Sequence, residues 1–213
     1  MTRRTADLIE TLVAQAVPVR RLRPPMARAL GWLSLAVLVI GALVLWHGPR
    51  ADLATRLGQP WFVIGMLAAA VTGALAALAA FQLSLPDRSR AWVWLPVPAA
   101  LLWLATVSVG CLTDWVRLDS EHFQWGDAAA CFGLLLLASV PLSAALFWMQ
   151  RHTARLRPAL AILAGALAVA ALSACALSLL HVFEASAMIL LWNFGAAALL
   201  MGVGTAVGRQ VLR

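Results

Sequence analysis

Six apolar runs, at residues 29–46, 61–85, 91–112, 128–149, 159–180 and 187–207, decide what this chain can fold into. A helix of about 20 apolar residues crosses the roughly 30 Å hydrocarbon core of a bilayer. Together the runs fill well over half of the 213 residues. What remains is a leader at 1–28, five short connections and a short tail, with no room for a separate soluble domain. Only 12% of the residues are charged, 63% are hydrophobic and the mean hydropathy is +0.88. Soluble domains carry about a quarter charged residues. The expected fold is therefore an all-α integral membrane bundle, 29–213, of six transmembrane helices, preceded by a short amphipathic helix.

The sixteen basic residues are all arginines. If the N-terminus is cytoplasmic, the inner segments hold Arg3, Arg4, Arg20, Arg21, Arg23, Arg28, Arg88, Arg90, Arg151, Arg155, Arg157, Arg209 and Arg213. The outer connections hold Arg50, Arg56 and Arg117 with most of the acids: Asp52, Asp114, Asp119, Glu121, Asp127 and Glu184. The positive-inside bias then places both termini in the cytoplasm of a multi-pass bacterial inner-membrane protein, and nucleic acid is not needed to explain the charge. The first apolar run is too long for a signal-peptide core and has no small-residue cleavage site after it, so the leader is expected to be retained.

Tryptophans punctuate the span ends. Trp32, Trp92, Trp94 and Trp148 are expected near the inner headgroups and Trp46, Trp61, Trp115 and Trp125 near the outer ones. Short connections imply antiparallel neighbours in one bundle. The spacings Gly73 to Ala77 and Gly204 to Gly208 offer small faces for close helix approach. Pro141 removes a backbone hydrogen bond from the fourth span.

The six runs contain no Asp, Glu, Lys, Arg or His. Pumps, ion-coupled transporters and intramembrane hydrolases need ionisable groups at membrane depth, so the chain is not expected to be an enzyme. Gln82 and Asn193 remain as polar groups. A continuous polar cavity around them is what a small-solute or lipid-handling protein requires; a structural subunit of a membrane complex is the other rival.

The leader is amphipathic. Leu8, Ile9, Leu12, Val13 and Ala16 recur at helical spacing, with Thr5 as the expected N-cap, Asp7 in the first turn and an end before Pro18. About twelve residues make a marginal helix in water, so the segment needs a surface on which to fold. Helices made for anionic leaflets carry basic polar faces, whereas this one presents Asp7, Glu10, Thr11 and Gln15. Asp7, Leu8, Ile9, Leu12 and Val13 are accordingly read as partner-binding. Arg20, Arg21, Arg23 and Arg28 are read as a leaflet anchor and topology signal. A leader that only sets orientation is the alternative.

Cys111, Cys131 and Cys175 all fall toward the outer side in this topology, as do His47, His122 and His181, while His152 lies inside. Thiols and imidazoles suit soft or borderline metals, and thiols pair in an oxidising periplasm. No C-x-x-C or H-x-x-x-H spacing occurs. Sensing and simple core packing both stand as readings, no metal ligand set is assigned, and no resident cofactor is expected beyond a transient metal ion as signal.

These features resemble the NrsF family, the negative regulators of sigma F in proteobacteria. The residues that carry the resemblance are Asp7-Leu8-Ile9 and Pro18-Val19 in the leader, Arg50-Ala51-Asp52-Leu53 after the first span, Pro141, Arg151 to Pro158 before Gly165, and Trp192. The resemblance implies a membrane anti-sigma factor whose leader holds an extracytoplasmic-function sigma factor away from RNA polymerase until stress is sensed, with no direct contact to nucleic acid. It also implies a cysteine pair facing the periplasm. Cys131 matches the first of these; at the second place this chain reads His181-Val182-Phe183. Cys111, Cys175 or His181 can stand in, or the trigger differs.

Overall fold

The computed structural model describes residues 2–15, 23–117, 125–151 and 158–180. Among them every regular element is helical: α1 (Thr2–Ala14), α2 (Pro25–His47), α3 (Leu53–Leu57), α4 (Pro60–Leu83), a 3-10 turn (Arg90–Trp94), α5 (Val97–Arg117), α6 (Trp125–Gln150) and α7 (Pro158–Leu180). Five segments are long and apolar enough to cross a membrane: α2, α4, Arg90–Ser108, Gly133–Gln150 and Ala159–Leu180. The sixth expected run, 187–207, lies outside the described residues.

Prolines set several boundaries. Pro25 and Pro60 occupy the first turns of α2 and α4, where no N–H is needed and the fixed φ suits a helix. The expected run at 91–112 divides into the 3-10 turn and α5. Pro96 and Pro98 have no backbone N–H to carry the helical hydrogen-bond ladder across this junction, and α5 then continues to Arg117. Ser89 caps the 3-10 turn by accepting from the Ala91 N–H at 3.1 Å. α6 runs through Pro141 without a break.

α1 begins at Thr2, which corrects the expected start: Thr5 is an interior residue and not the cap. Arg3 and Arg4 are good helix formers, so the helix extends back through them. It ends at Ala14, ahead of Pro18, with the Gln15 N–H bonded to the Thr11 carbonyl at 3.1 Å.

Among the described helices α7 is the most buried, and its alanine-rich surface lets the neighbouring helices come close. Ala168, Val169 and Leu172 pack with Ala76, Ala77 and Phe81 of α4, Trp32 and Ala36 of α2, and Leu142 and Leu146 of α6. Gly73 is part of the reason α4 approaches so nearly. A Cβ placed there would meet Leu172 Cγ at 2.7 Å. The face expected from Gly73 to Ala77 therefore does bring helices together.

Trp32 departs from expectation. It is not at an interface but fully buried, and its indole N–H donates to the Leu142 carbonyl at 3.1 Å. It shares a stripe with Ala29 and Ala36, spaced three and four residues apart, and that stripe faces α6. The small alanines on either side leave room for the ring, and the carbonyl satisfies its N–H. Trp46, Trp61, Trp94 and Trp148 are exposed, as expected of residues at span ends.

The outer surface of the bundle is apolar. Val37, Leu38 and Leu45 of α2, Leu101 of α5 and Phe147 of α6 are all more than half exposed. Continuous apolar surfaces of this kind are rare on soluble monomers and normal against lipid.

Candidate functional site

Three places concentrate chemistry: the leader helix and the two ends of the bundle. The end where α2 begins is called the leader end, and the opposite one the far end.

On α1, Leu8, Ile9, Leu12 and Val13 are 58, 56, 59 and 70% exposed. Asp7 and Glu10 are also exposed, flanking this ridge. The Thr11 hydroxyl turns back on its own helix, donating to the Asp7 carbonyl at 2.7 Å. The apolar residues expected to bind a partner thus form one uncovered face with acidic neighbours. Burying two leucines of such a face stabilises a complex by about 3–6 kcal/mol.

At the leader end, Arg28 departs from the expected anchor role. Arg20 and Arg21 lie outside the described residues and Arg23 is exposed, but Arg28 is only 8% exposed. Its guanidinium Nη2 donates to the Met149 carbonyl, in the last turn of α6, and the group lies 5.1 Å from the Phe81 ring centroid on α4. The physical reason is the stripe already described. Arg28 precedes Ala29 and Trp32 on the buried side of α2, and the C-terminal carbonyls of α6 offer a partner to a cation. Gln82, next to Phe81 on α4, is also buried, its amide nitrogen 3.8 Å from Met26 Sδ and its Oε1 without a hydrogen-bond partner. Asn193 lies outside the described residues. Arg151, next along from α6, is exposed and stacks on Trp148, 3.4 Å from the ring centroid.

At the far end a second buried arginine does the corresponding work. The chain leaves α2 through Gly48, whose φ of +82° is a conformation that side-chain-bearing residues rarely adopt. That turn carries Arg50 onto the end of α7. The Arg50 backbone N–H donates to the Leu179 carbonyl at 3.0 Å, and Nη1 makes a longer contact of 3.5 Å with the Ser178 carbonyl. Nε and Nη2 of the same guanidinium bond the two Asp52 oxygens at 2.6 and 2.9 Å. This two-pronged geometry is the strong form of an arginine-carboxylate pair. Phe62 of α4 lies beneath, 5.8 Å from the guanidinium carbon. Arg56 adds a longer bond to Asp52 at 3.3 Å. Hydrogen bonding from Arg50 leads the effects that hold the Asp52 carboxyl down at about 2, against partial desolvation acting the other way.

Of the candidate sensing residues, Cys175 is the one whose surroundings are described. Cys175 is buried, packed with Ala68, Ala69 and Trp103, its thiol 3.6 Å from the Met66 carbonyl. Cys111 and Cys131 lie on α5 and α6 with side chains outside the described residues, and His181, which follows α7, is also outside them. Among the described residues no group of three or more His, Cys, Asp or Glu is arranged to hold a metal ion.

Arg50 was visible in the sequence only as part of a short motif, and Arg28 only as a member of a basic cluster. For Arg28 the available signal was its register: it lies one residue before Ala29 on the stripe that buries Trp32. For Arg50 it was the Gly-Pro-Arg-x-Asp order immediately beyond a span end.

Five helices long and apolar enough to cross a membrane, together with a short helix whose apolar face is exposed, fit the class of multi-span membrane proteins. The family model described as "Negative regulator of sigma F" matches residues 12–213. A protein of Azospira oryzae named "Probable anti-sigma-F factor NrsF" is 27% identical over 217 aligned residues, covering 99% of this chain and 99% of that protein. No solved structure matches. The chain belongs to the NrsF family of negative regulators of sigma F.

Proposed function

We propose that this chain is an anti-sigma factor of the bacterial inner membrane, a regulator and not an enzyme, with both termini cytoplasmic. Its bundle serves as the anchor and α1 as the grip on an extracytoplasmic-function sigma factor. The single observation that carries this reading is the uncovered ridge of Leu8, Ile9, Leu12 and Val13 on α1, in a chain of this family. Asp7 and Glu10 beside the ridge favour an apolar groove with a basic rim on the sigma factor. The mechanism is sequestration: α1 completes its folding on the sigma factor and covers surface needed for binding RNA polymerase. Release follows a periplasmic metal or redox signal, with Cys131, Cys111 and His181 as receivers. Cys175, sealed in the core, is a weaker candidate than the other two thiols.

The test uses the full-length protein in nanodiscs and the purified sigma factor. Wild type binds, and the Leu8→Asp, Leu12→Asp double variant loses at least about 100-fold in affinity, because each tenfold corresponds to about 1.4 kcal/mol. Undiminished binding by that variant rules out the α1 face as the grip.

A further inference from the structure

The far-end arrangement is more elaborate than holding a loop requires. Arg50 is buried, its backbone satisfies a carbonyl of the last turn of α7, and its side chain is oriented by a carboxylate two residues along. The residue that follows α7 is His181, next to the place where the proposed signal is received. α7 in turn packs in one cluster with Trp32, Phe81, Leu142 and Leu146. Arg28 lies over Phe81 and grips the same α6 that carries Leu142 and Leu146, and it sits where the leader enters the bundle. The far-end turns of α7, at Ala176, Leu177 and Leu180, pack in a second cluster with Leu43, Leu134 and Ala138, and Val39 and Ile40 of α2 pack against both clusters, so the two adjoin along α2 and α7 and connect the far end to the leader end.

We propose that Arg50 and Asp52 form a latch: with Arg50 seated on the end of α7 the leader end stays tightly packed and the sigma factor is retained, and unseating Arg50 loosens both. The retention half of this statement rests on the function proposed above; the packing half does not. Arg50 is a positioning residue, acting through α7 and touching neither signal nor partner. Asp52 orients the guanidinium and Gly48 delivers it. Any signal that displaces the last turn of α7 competes directly with the two carbonyl contacts, at Leu179 and Ser178, on which the latch closes.

The experiment compares wild type, Arg50→Ala, Arg50→Lys, Asp52→Asn and Gly48→Ala, each full length in nanodiscs. It reads backbone hydrogen exchange in the last turn of α7 and separately in the leader-end turns around Met26 to Ala29 and Met149 to Arg151. Arg50→Ala is expected to speed exchange at both ends, and to weaken sigma-factor binding about tenfold, a typical size for coupling between separated sites. Arg50→Lys, which keeps the charge but loses the fork, falls between Arg50→Ala and wild type. If Arg50→Ala does not insert, Asp52→Asn carries the test, since it leaves the buried side chain in place and removes only its orientation. Faster exchange confined to the far end, with leader-end exchange and sigma binding at wild-type values, overturns the latch. Faster exchange at both ends in a protein whose wild type binds no sigma factor supports the latch and removes the proposed function instead.

Discussion

The two ends of the bundle solve the same problem with different parts. Each has a buried arginine facing the C-terminal carbonyls of a neighbouring helix, Arg28 on α6 and Arg50 on α7, and each guanidinium lies over a phenylalanine of α4, Phe81 or Phe62. Helix C-termini attract cations because their last carbonyls lack intrahelical partners. The ends differ in how the arginine is delivered. Arg28 is itself part of a helix and arrives in register with the core stripe, so its position is fixed by α2. Arg50 sits in a connection, arrives through a glycine turn and is steered by Asp52. A clamp built into a helix moves only with that helix. One carried on a loop can let go by itself, which is why the far end is where a switch is affordable.

The sharpest way to break the comparison is at the rigid end. Arg28→Ala leaves the Met149 carbonyl without that donor and opens space against Phe81, and is expected to cost about 2–4 kcal/mol. Thermal unfolding of the detergent-solubilised protein measures this, and a midpoint equal to wild type means that Arg28 is not a clamp. Close packing around α7 comes next. Gly73→Ala drives a methyl into Leu172 Cγ, near the stem of that side chain, and is expected to destabilise by about 1–3 kcal/mol. Gly165→Ala meets the terminal Cδ2 of Leu146, which can turn aside, and should cost less than half as much in the same assay. The reverse order would show that α6, rather than α4, is the tighter neighbour of α7.

The smallest effect expected is that of acid on the far end. The Asp52 carboxyl is held at about 2, below its ordinary 3.8. A depressed carboxylate contributes stability that is fully present above the ordinary value and is lost as pH falls through the lowered one. From about pH 8 to about pH 5 the latch should therefore not change, and exchange in the last turn of α7, corrected for intrinsic rates, should stay flat. A step within that window would point to a titrating group other than Asp52.

Hydropathy alone revealed five of the helices, because apolar length is sufficient to mark a helix for lipid and tertiary detail does little to move it. The split ahead of α5 was missed because Pro96 and Pro98 are apolar enough to hide inside a hydrophobic run while still breaking the backbone pattern. Leu8, Ile9, Leu12 and Val13 were legible because amphipathic spacing is a local property. The fates of Arg28 and Trp32 were not, since both depend on which side of α2 meets α6, a fact of packing between residues more than 100 positions apart. The pairing of Arg50 with Asp52 is local, but its value to the fold lies in the carbonyls of α7, almost 130 residues downstream.

Phe62 and Phe81 stand nineteen residues apart on one continuous helix. At about 1.5 Å per residue their separation along its axis is about 28 Å, close to the roughly 30 Å of hydrocarbon in an ordinary bilayer. α4 thus works as a ruler with a cation at each mark. Neither charge need be dragged to the middle of the oil, and a membrane much thinner or thicker than this spacing must tilt the bundle or bend its own leaflets to keep both marks at its edges.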